Sequence, residues 1–451
     1  MASYRSIPAA TAVRLAKPTS NLFRARTKRD ARGLDTSGLT GVLDVDPDNR
    51  TAEVAGMCTY EDLVAETLRY GLSPLVVPQL KTITLGGAVS GLGIESASFR
   101  NGLPHESVVE MDILTGAGEL VTASRSQHPD LFRAFPNSYG TLGYSTRLRI
   151  ELEPVAPFVA LRHIRFHSLP ELVAAAERII DTGGHDGDPV DYLDGVVFGA
   201  DESYLCVGRR TETAGPVSDY TGKSIYYQSI QHDSAGAEAT KDDRLTIHDY
   251  FWRWDTDWFW CSRAFGLQNP RVRRWWPRRY RRSSVYSKLV AMDRRWHVSD
   301  RIETRSLRSP GRPLRERVVQ DVEVPVERTC AFLEWFLDNV PITPIWLCPL
   351  RLRDRDGWPL YPIRPDHTYV NIGFWSAVPA AAAGSPVGAT NRAIEAKVSE
   401  LDGHKSLYSD AFYTREEFDA LYGGEAYNTV KKTYDPDSRL LDLYAKAVQR
   451  R

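Results

Sequence analysis

Residues 144–153 alternate with a period of two, Thr146, Leu148, Ile150 and Leu152 against Arg147, Arg149, Glu151 and Glu153. Such a pattern predicts a strand with one buried face. Upstream, LTGVLDVD (39–46) and TAEVA (51–55) predict two strands around the turn Pro47-Asp48-Asn49. In YEDLVAETLRYGL (60–72), Leu63, Val64, Thr67 and Leu68 share one helical face, and Gly71 supplies the stop. SPLVVPQL predicts a short buried strand interrupted at Pro78, and a glycine-rich loop, LGGAVSGLGIES (85–96), follows directly. SVVEMDILTGAGELV (107–121) predicts two strands joined at Thr115-Gly116-Ala117-Gly118. A short helix over HPDLFRAF and a glycine turn at Gly140 and Gly143 lead into the alternating strand. Pro154 and Pro157 then break the pattern, and a domain boundary falls there.

A second unit begins with the strand VALRHIRFH, the amphipathic helix LPELVAAAERIIDTGG and the strands YLDGVVFG and SYLCVGRR. Residues 211–245 are polar and read as loop, 249–265 are densely aromatic, and 270–282 are densely basic. VVQDVEVPVERTCAFLEWFLDNV (318–340) predicts a strand leading into a helix. TPIWLCPLRLR and YVNIGFWSAV predict two further strands. AAAAGSPVGATN (380–391) reads as a mobile linker, and TREEFDALYGG and DPDSRLLDLYAKAVQR as helical. The mixture places the chain in the α+β class, divided as 1–154, 155–395 and 396–451.

At 451 residues the chain exceeds one typical domain, and its 42% apolar and 25% charged residues are ordinary for a globular protein. A net charge of −1 gives no global field for nucleic acid, and no nucleic-acid partner is expected. There is no apolar run of membrane-spanning length and no signal peptide. Five scattered cysteines without a C-x-x-C pair argue against a disulfide framework and against a zinc site. A cytoplasmic protein with reduced thiols, and no metal, is the expectation.

Gly86, Gly87, Gly91 and Gly93 crowd into eight residues, which is costly in chain entropy unless the backbone must approach something closely. One reading is a structural loop with small residues for packing. A Rossmann turn fits worse: Ser96 stands where the third glycine of G-x-G-x-x-G belongs, and no acidic residue follows at the right distance. A third reading uses the hydroxyls of Thr82, Thr84 and Ser90 and the consecutive backbone N–H groups to wrap a flavin or a pyrophosphate.

The segment PQLKTITLGGAVSGLGIESASFRNGLPHESVVEMDILTGAGELV, with SYGTLGYSTRLRIEL, resembles the FAD-binding domain of the vanillyl-alcohol-oxidase/PCMH flavoprotein family. KPTSNLFR, GIES, GTLGY, VVQDVEVP, PIWLCPLR and YTREEF narrow the resemblance to its delta-24-sterol reductase branch, over nearly the whole chain. The resemblance implies a two-subdomain FAD-binding domain (1–154), an α+β cap domain over the flavin that binds substrate (155–395), and a C-terminal segment packing back near the flavin (396–451). It implies cofactor contacts from Thr19, Ser20 and Asn21 in the first loop, from Thr84, Gly86, Gly87, Gly91, Gly93, Ile94, Glu95 and Ser96, and from Gly143 and Tyr144. Lys431 and Lys432 are candidates for positive charge at the flavin N1 locus, or solvent-exposed lysines. No histidine stands near Thr19–Asn21, so FAD is expected to be non-covalent; His105 lies where some members attach flavin, but this branch generally does not.

The chemistry so implied is reduction of an unactivated carbon–carbon double bond, with NADPH as reductant and an acid in a dry pocket. Candidates for that acid are His248, Asp249, Glu95, Tyr408 and Tyr413, and the sequence does not choose among them. The aromatic stretch offers walls for a long apolar channel, or an ordinary aromatic core, around His248, Asp249, Asp255 and Asp257. The basic stretch 270–282 is material for peripheral docking at the inner face of the cell membrane, or a solvated arginine face. The preferred substrate is a lipid, best a 10-methylene fatty acyl phospholipid reduced to its 10-methyl product, as in actinobacterial relatives of the branch. A lipid methyltransferase is then the metabolic partner. A sterol or terpenoid side-chain reductase, an FAD-dependent alcohol oxidase and a lipid-binding protein without catalysis are the alternatives.

Overall fold

Period-two alternation builds two antiparallel sheets. The structure, a computed structural model, describes residues 2–8, 11–17, 23–24, 32–222, 224–231, 240–296, 315–381 and 384–450. A short parallel pair, β1 (Val13–Ala16) and β2 (Arg32–Asp35), precedes the first sheet. That sheet holds β3 (Val42–Asp46), β4 (Thr51–Ala55), β5 (Leu72–Pro74), β6 (Val108–Leu114), β7 (Leu120–Ser124) and β8 (Tyr144–Pro154). Its order is β3-β4-β8-β6-β7, with β5 on the far part of β8. A bulge between Asp112 and Ile113 shifts the register, so Ser145 rather than Thr146 turns inward with Leu148, Ile150 and Leu152.

The second sheet takes β9 (Phe158–Phe166), β12 (Tyr192–Gly199), β13 (Glu202–Thr211), β14 (Thr240–Thr246), β15 (Arg315–Pro325), β16 (Ile345–Leu350), β17 (Tyr369–Pro379) and β18 (His404–Lys405). The small hairpin β10 (Gly184–His185) and β11 (Asp188–Pro189) lies apart from it. The eight strands run in the order β14-β9-β13-β12-β16-β17-β15-β18. Its outer face, with Leu193, Leu205, Leu347, Ile372 and Val322, packs under the helices Leu169–Thr182, Thr329–Asn339 and Ala389–Glu400. Its inner face, with Tyr204, Cys206, Trp346, Cys348 and Trp375, shares a core with the first sheet.

One rung of that inner face, from β9 to the edge strand β18, is mostly polar. His163 pairs with Cys206, Cys206 with Asp194, Cys348 with Asn371, Asn371 with Glu323, and Glu323 with His404. All seven are buried. An inner face normally excludes such groups unless something satisfies them.

Several readings of the sequence need correction. The polar run 211–245 ends in β14, an edge strand whose mostly half-buried polar side chains (KDDRLT) hide its period. VVPQL is buried but not a strand. The linker stops at Gly388, where the helix Ala389–Glu400 begins, and the helix Gly424–Tyr434 was not foreseen. The glycine stretch is not a loop throughout: Leu85–Ser90 is a helix, capped by Thr84, whose hydroxyl accepts from the Gly87 N–H at 3.2 Å.

Packing within the protein already explains several glycines. A Cβ on Gly86 would lie 2.4 Å from Ser145 Oγ and 2.6 Å from the Gly56 carbonyl oxygen, so the helix rests directly on the first sheet. On Gly93 a Cβ would meet Pro78 and Pro104 at 2.9 Å each. Gly86→Ala is therefore expected to destabilise the protein by about 1–3 kcal/mol, the usual cost of overpacking. Denaturant unfolding of the two proteins measures the difference.

Candidate functional site

The C-terminal end of the glycine helix faces the polar rung through a small set of side chains. The Tyr139 N–H donates to the Ser90 carbonyl at 2.6 Å, and the Asn137 N–H to the Gly91 carbonyl at 3.2 Å. Asn137 Nδ2 donates to the Leu360 carbonyl at 2.5 Å. Beside Leu360, the Tyr361 ring meets His404 edge-on, with centroids 4.9 Å apart. His404 Nε2 stands 3.3 Å from Glu323 Oε2, and Ser406 Oγ donates to Glu323 Oε1 at 2.6 Å. Asp321, two residues before Glu323 on the same face of β15, lies beside Tyr408 and Asn371. Trp375 Nε1 donates to Tyr408 Oη at 2.8 Å.

Burial sets the protonation states here. It holds His404 and His105 down to about 3, so both are neutral. It drives the Glu323 carboxyl well up, against its bond from Ser406. It pushes Asp321 up to about 7, against the lowering influence of the neighbouring Tyr408 and Asn371 side chains. A carboxyl at that level exchanges its proton near neutrality, and its Oδ1 is buried with no hydrogen-bond partner among the described residues.

Further buried polar atoms stand without such a partner: Gln79 Nε2, Asn137 Oδ1, Tyr361 Oη, both amide atoms of Asn371 and both ring nitrogens of His105. Unpaired buried groups are costly, and a run of them signals a ligand or water that completes the set. They offer donors and acceptors together, which suits a flat heterocycle with a mixed polar edge.

Beside this set runs an aromatic wall. Phe23 lies between Trp258, at 5.5 Å, and Tyr408, at 5.9 Å. Phe259 packs on Trp375 at 4.6 Å and on Trp346 at 5.3 Å. Trp258, Phe259 and Trp260 have φ of 50°, 49° and 54°, three successive bulky residues in the left-handed region. Each costs about 1–2 kcal/mol, and strain of this kind collects at functional sites. The aromatic stretch is buried against the inner face of the second sheet. Its acids serve that turn: Asp255 accepts from Ser283 Oγ at 2.5 Å and from the Lys81 N–H at 3.0 Å, and Asp257 from Ser262.

A buried arginine ties the segment after the glycine helix to the second sheet. Arg253 Nη2 lies 2.9 Å from Asp194 Oδ2 and 3.2 Å from Glu95 Oε1. The Tyr250 ring lies 4.0 Å from the guanidinium, and Trp346 Nε1 donates to Asp194 at 3.1 Å. Tyr250 Oη and Ser96 Oγ are 2.8 Å apart. Burial raises the Glu95 carboxyl more than the Arg253 charge lowers it.

Of the five candidate acids, only Tyr408 joins the polar set directly. Glu95 is the partner of Arg253. His248 is 53% exposed, on the helix Ile247–Phe251, and its Nδ1 bonds Asp249 at 3.1 Å. Asp249 also accepts from Thr221 Oγ1 at 3.2 Å. Tyr413 is buried beside Tyr422, with ring centroids 6.0 Å apart.

The cofactor candidates also separate. Thr19, Ser20 and Asn21 lie outside the described residues. Thr84, Gly86, Gly87 and Gly91 belong to the helix and its caps, with Gly93, Ile94, Glu95 and Ser96 just beyond it. Gly143, at φ 151°, and Tyr144 start β8, and Tyr144 packs with Tyr4 and Leu440. Lys431 is fully engaged: it donates to the Thr141 carbonyl at 2.6 Å and pairs with Asp435 at 2.5 Å. It anchors the C-terminal helices to the first domain.

Asp321, Glu323, Asn371, Tyr361, His404 and Arg253 were missed by the sequence reading. The signal was present in VVQDVEVP: two carboxylates on one face of an otherwise apolar strand.

Residues 11–124 match the family model of an FAD binding domain. This part of the chain is therefore a flavin-binding domain of the PCMH type, within an α+β fold. Over 429 residues the chain is 26% identical to Delta(24)-sterol reductase of Rattus norvegicus, covering 90% of this chain and 76% of that protein. The Arabidopsis thaliana Delta(24)-sterol reductase is 24% identical over 442 residues, covering 92% and 76%. Cytokinin dehydrogenase 2 of Oryza sativa subsp. japonica is 35% identical over 162 residues, covering 34% of this chain and 28% of that protein. The protein is an FAD-dependent oxidoreductase.

Two stability measurements probe the site. Arg253→Met leaves Asp194 and Glu95 buried without their cation, and unfolding free energy is expected to fall by about 3–5 kcal/mol. Asp321, at about 7 when folded and near 3.8 when unfolded, keeps its proton in the fold while the unfolded chain loses it. Its contribution to stability therefore declines as pH rises from 4 to 7 and is level above that. Asp321→Asn should be nearly neutral at the acid end of that window and stabilising at the alkaline end; a constant difference across the window would contradict the raised carboxyl.

Proposed function

We propose that this protein reduces a carbon–carbon double bond of a lipid, with FAD held non-covalently between the glycine helix and the polar rung, and NADPH as reductant. The observation that carries the reading is a proton-holding Asp321 beside an aromatic wall. In that arrangement Gln79, Asn137, Tyr361 and Asn371 would bond the polar edge of the flavin, and the main chain of 86–96 would face it. Bound FAD would supply hydride to one alkene carbon.

The other carbon needs a proton. With no carbonyl to polarise the alkene, the donor must be a fairly strong acid that is still protonated at neutral pH. A carboxyl near 7 meets both conditions; a buried tyrosine, driven well above its ordinary value, does not. Asp321 is assigned as the acid. Tyr408 is its positioning residue: Trp375 donates to the phenol oxygen, so the Tyr408 O–H is directed at the carboxyl. The walls built by Phe23, Trp258, Phe259 and Trp375 would hold an extended apolar chain and exclude water.

The preferred substrate is a 10-methylene fatty acyl phospholipid, supplied by a lipid methyltransferase. A sterol side chain is the second reading, favoured by similarity along 90% of the chain to a protein named for that reaction. The experiment incubates FAD-loaded protein and NADPH with the methylene phospholipid and, in parallel, with a side-chain-unsaturated sterol. A two-hydrogen mass gain identifies the substrate, and a gain on neither refutes both. Asp321→Asn should lower that turnover by about two to four orders of magnitude, the usual worth of a general acid, while flavin bleaching by NADPH keeps its rate. Equal loss in both half-reactions would remove Asp321 from the proton step.

A further inference from the structure

We infer that the outward side of residues 270–282 is a docking surface for an anionic lipid bilayer. The stretch holds seven arginines and no acid, and the structure divides them in two. Four have partners. Arg273 Nη2 donates to the Ser224 carbonyl at 2.9 Å, and Arg281 to the Gly222 carbonyl and, at 3.0 Å, to that of Trp276. Arg282 pairs with Glu61, and Arg278 with Asp219 at 2.9 Å. These four fix the segment to the body of the protein.

Arg271, Arg274 and Arg279 are exposed and pair with no carboxylate among the described residues. With them stands Trp275, 84% exposed, the most exposed of the large apolar side chains the structure describes. Val272, three residues before it on the helix Pro270–Trp275, is 43% exposed, and Tyr280 is 41% exposed. Elsewhere the tryptophans of this region are buried: Trp252, Trp254, Trp258 and Trp260 all sit in the core. Arg279 lies over the Tyr280 ring, 4.9 Å from its centroid. An indole held out among guanidinium groups without carboxylate partners is poorly suited to water. It suits a bilayer surface, where the ring sits at the headgroup level and each cation meets a phosphate. The charge complement selects anionic over zwitterionic lipid.

The location matters. Ser283, directly after the stretch, is bonded to Asp255, and Arg282 reaches Glu61 of the first domain. The patch therefore sits over the joint between the two domains, at the end of the aromatic block.

The test is sedimentation of FAD-loaded protein with vesicles of phosphatidylcholine, alone or mixed with phosphatidylglycerol, without NADPH or substrate. Binding is read without turnover, so its result is separate from that of the reductase assay. Binding to the mixed vesicles is expected, weakening as salt rises. Each arginine removed should cost about five-fold in affinity, so Arg271→Gln/Arg274→Gln/Arg279→Gln together about a hundred-fold. Trp275→Ala should weaken binding to the mixed vesicles without changing the response to salt. All variants are at the surface, and unchanged flavin absorbance and melting temperature confirm that they fold. Equal sedimentation of parent and variants, absence of binding to the mixed vesicles, or equal binding to both lipid compositions would overturn the inference. So would capture of the patch by a single-stranded oligonucleotide in preference to the mixed vesicles.

Discussion

The rest of the structure depends on Arg253 and its two carboxylates. Glu95 comes from the segment after the glycine helix, Asp194 from the centre of the second sheet, and Arg253 from the aromatic stretch that joins β14 to the rest. Each charge is out of water and tolerable only because the others are present. Such a triad adds little net stability over an apolar core. It instead punishes any arrangement in which the three segments do not meet, and so fixes how the flavin-binding half and the cap sheet face each other. Tyr250, which lies against the guanidinium and touches Ser96, extends the same constraint to the end of the glycine stretch.

Once the two faces are fixed, what lies between them follows from strand periodicity. Antiparallel pairing puts every second residue of each strand on the inner face, and pairing across strands lines those residues up in rungs. A single rung can therefore carry His163, Cys206, Asp194, Cys348, Asn371, Glu323 and His404 although they are scattered from residue 163 to residue 404. Asp321 sits one rung further along, opposite Gly373, where the missing side chain leaves space for its carboxyl.

Much of this was legible in the sequence, and the illegible parts share a cause. Strands with one wet face, such as β8, show their period openly. So do helices with a clear apolar stripe, such as Leu169–Thr182. β14 does not, because an edge strand with both faces half-wet has no apolar period to read. The glycine helix was hidden because glycine disfavours helix, and only contact with Gly56 and Ser145 overrides that preference. In the site, Tyr408 was singled out but its neighbours were not. Asp321 and Glu323 become chemically interesting only when β17 and β18 close over them, which is tertiary information. His248 and Asp249 misled for the opposite reason: a histidine next to an acid in an aromatic run looks catalytic, but the helix there turns both toward the surface.

The polar rung also bears on how the protein is made. In the proposed arrangement, a freshly synthesised chain that closes before it meets its flavin shuts Asn371 and His404, with Tyr361 beside them, away with their hydrogen-bonding capacity unspent. That closed form is an inferior product of folding. Ligand that binds only the native state draws the population toward it by mass action. Cells short of flavin would thus hold a larger share of open chains, exposed to proteases. Abundance of the enzyme would follow vitamin supply with no change in transcription, through the hydrogen-bonding needs of one row of side chains.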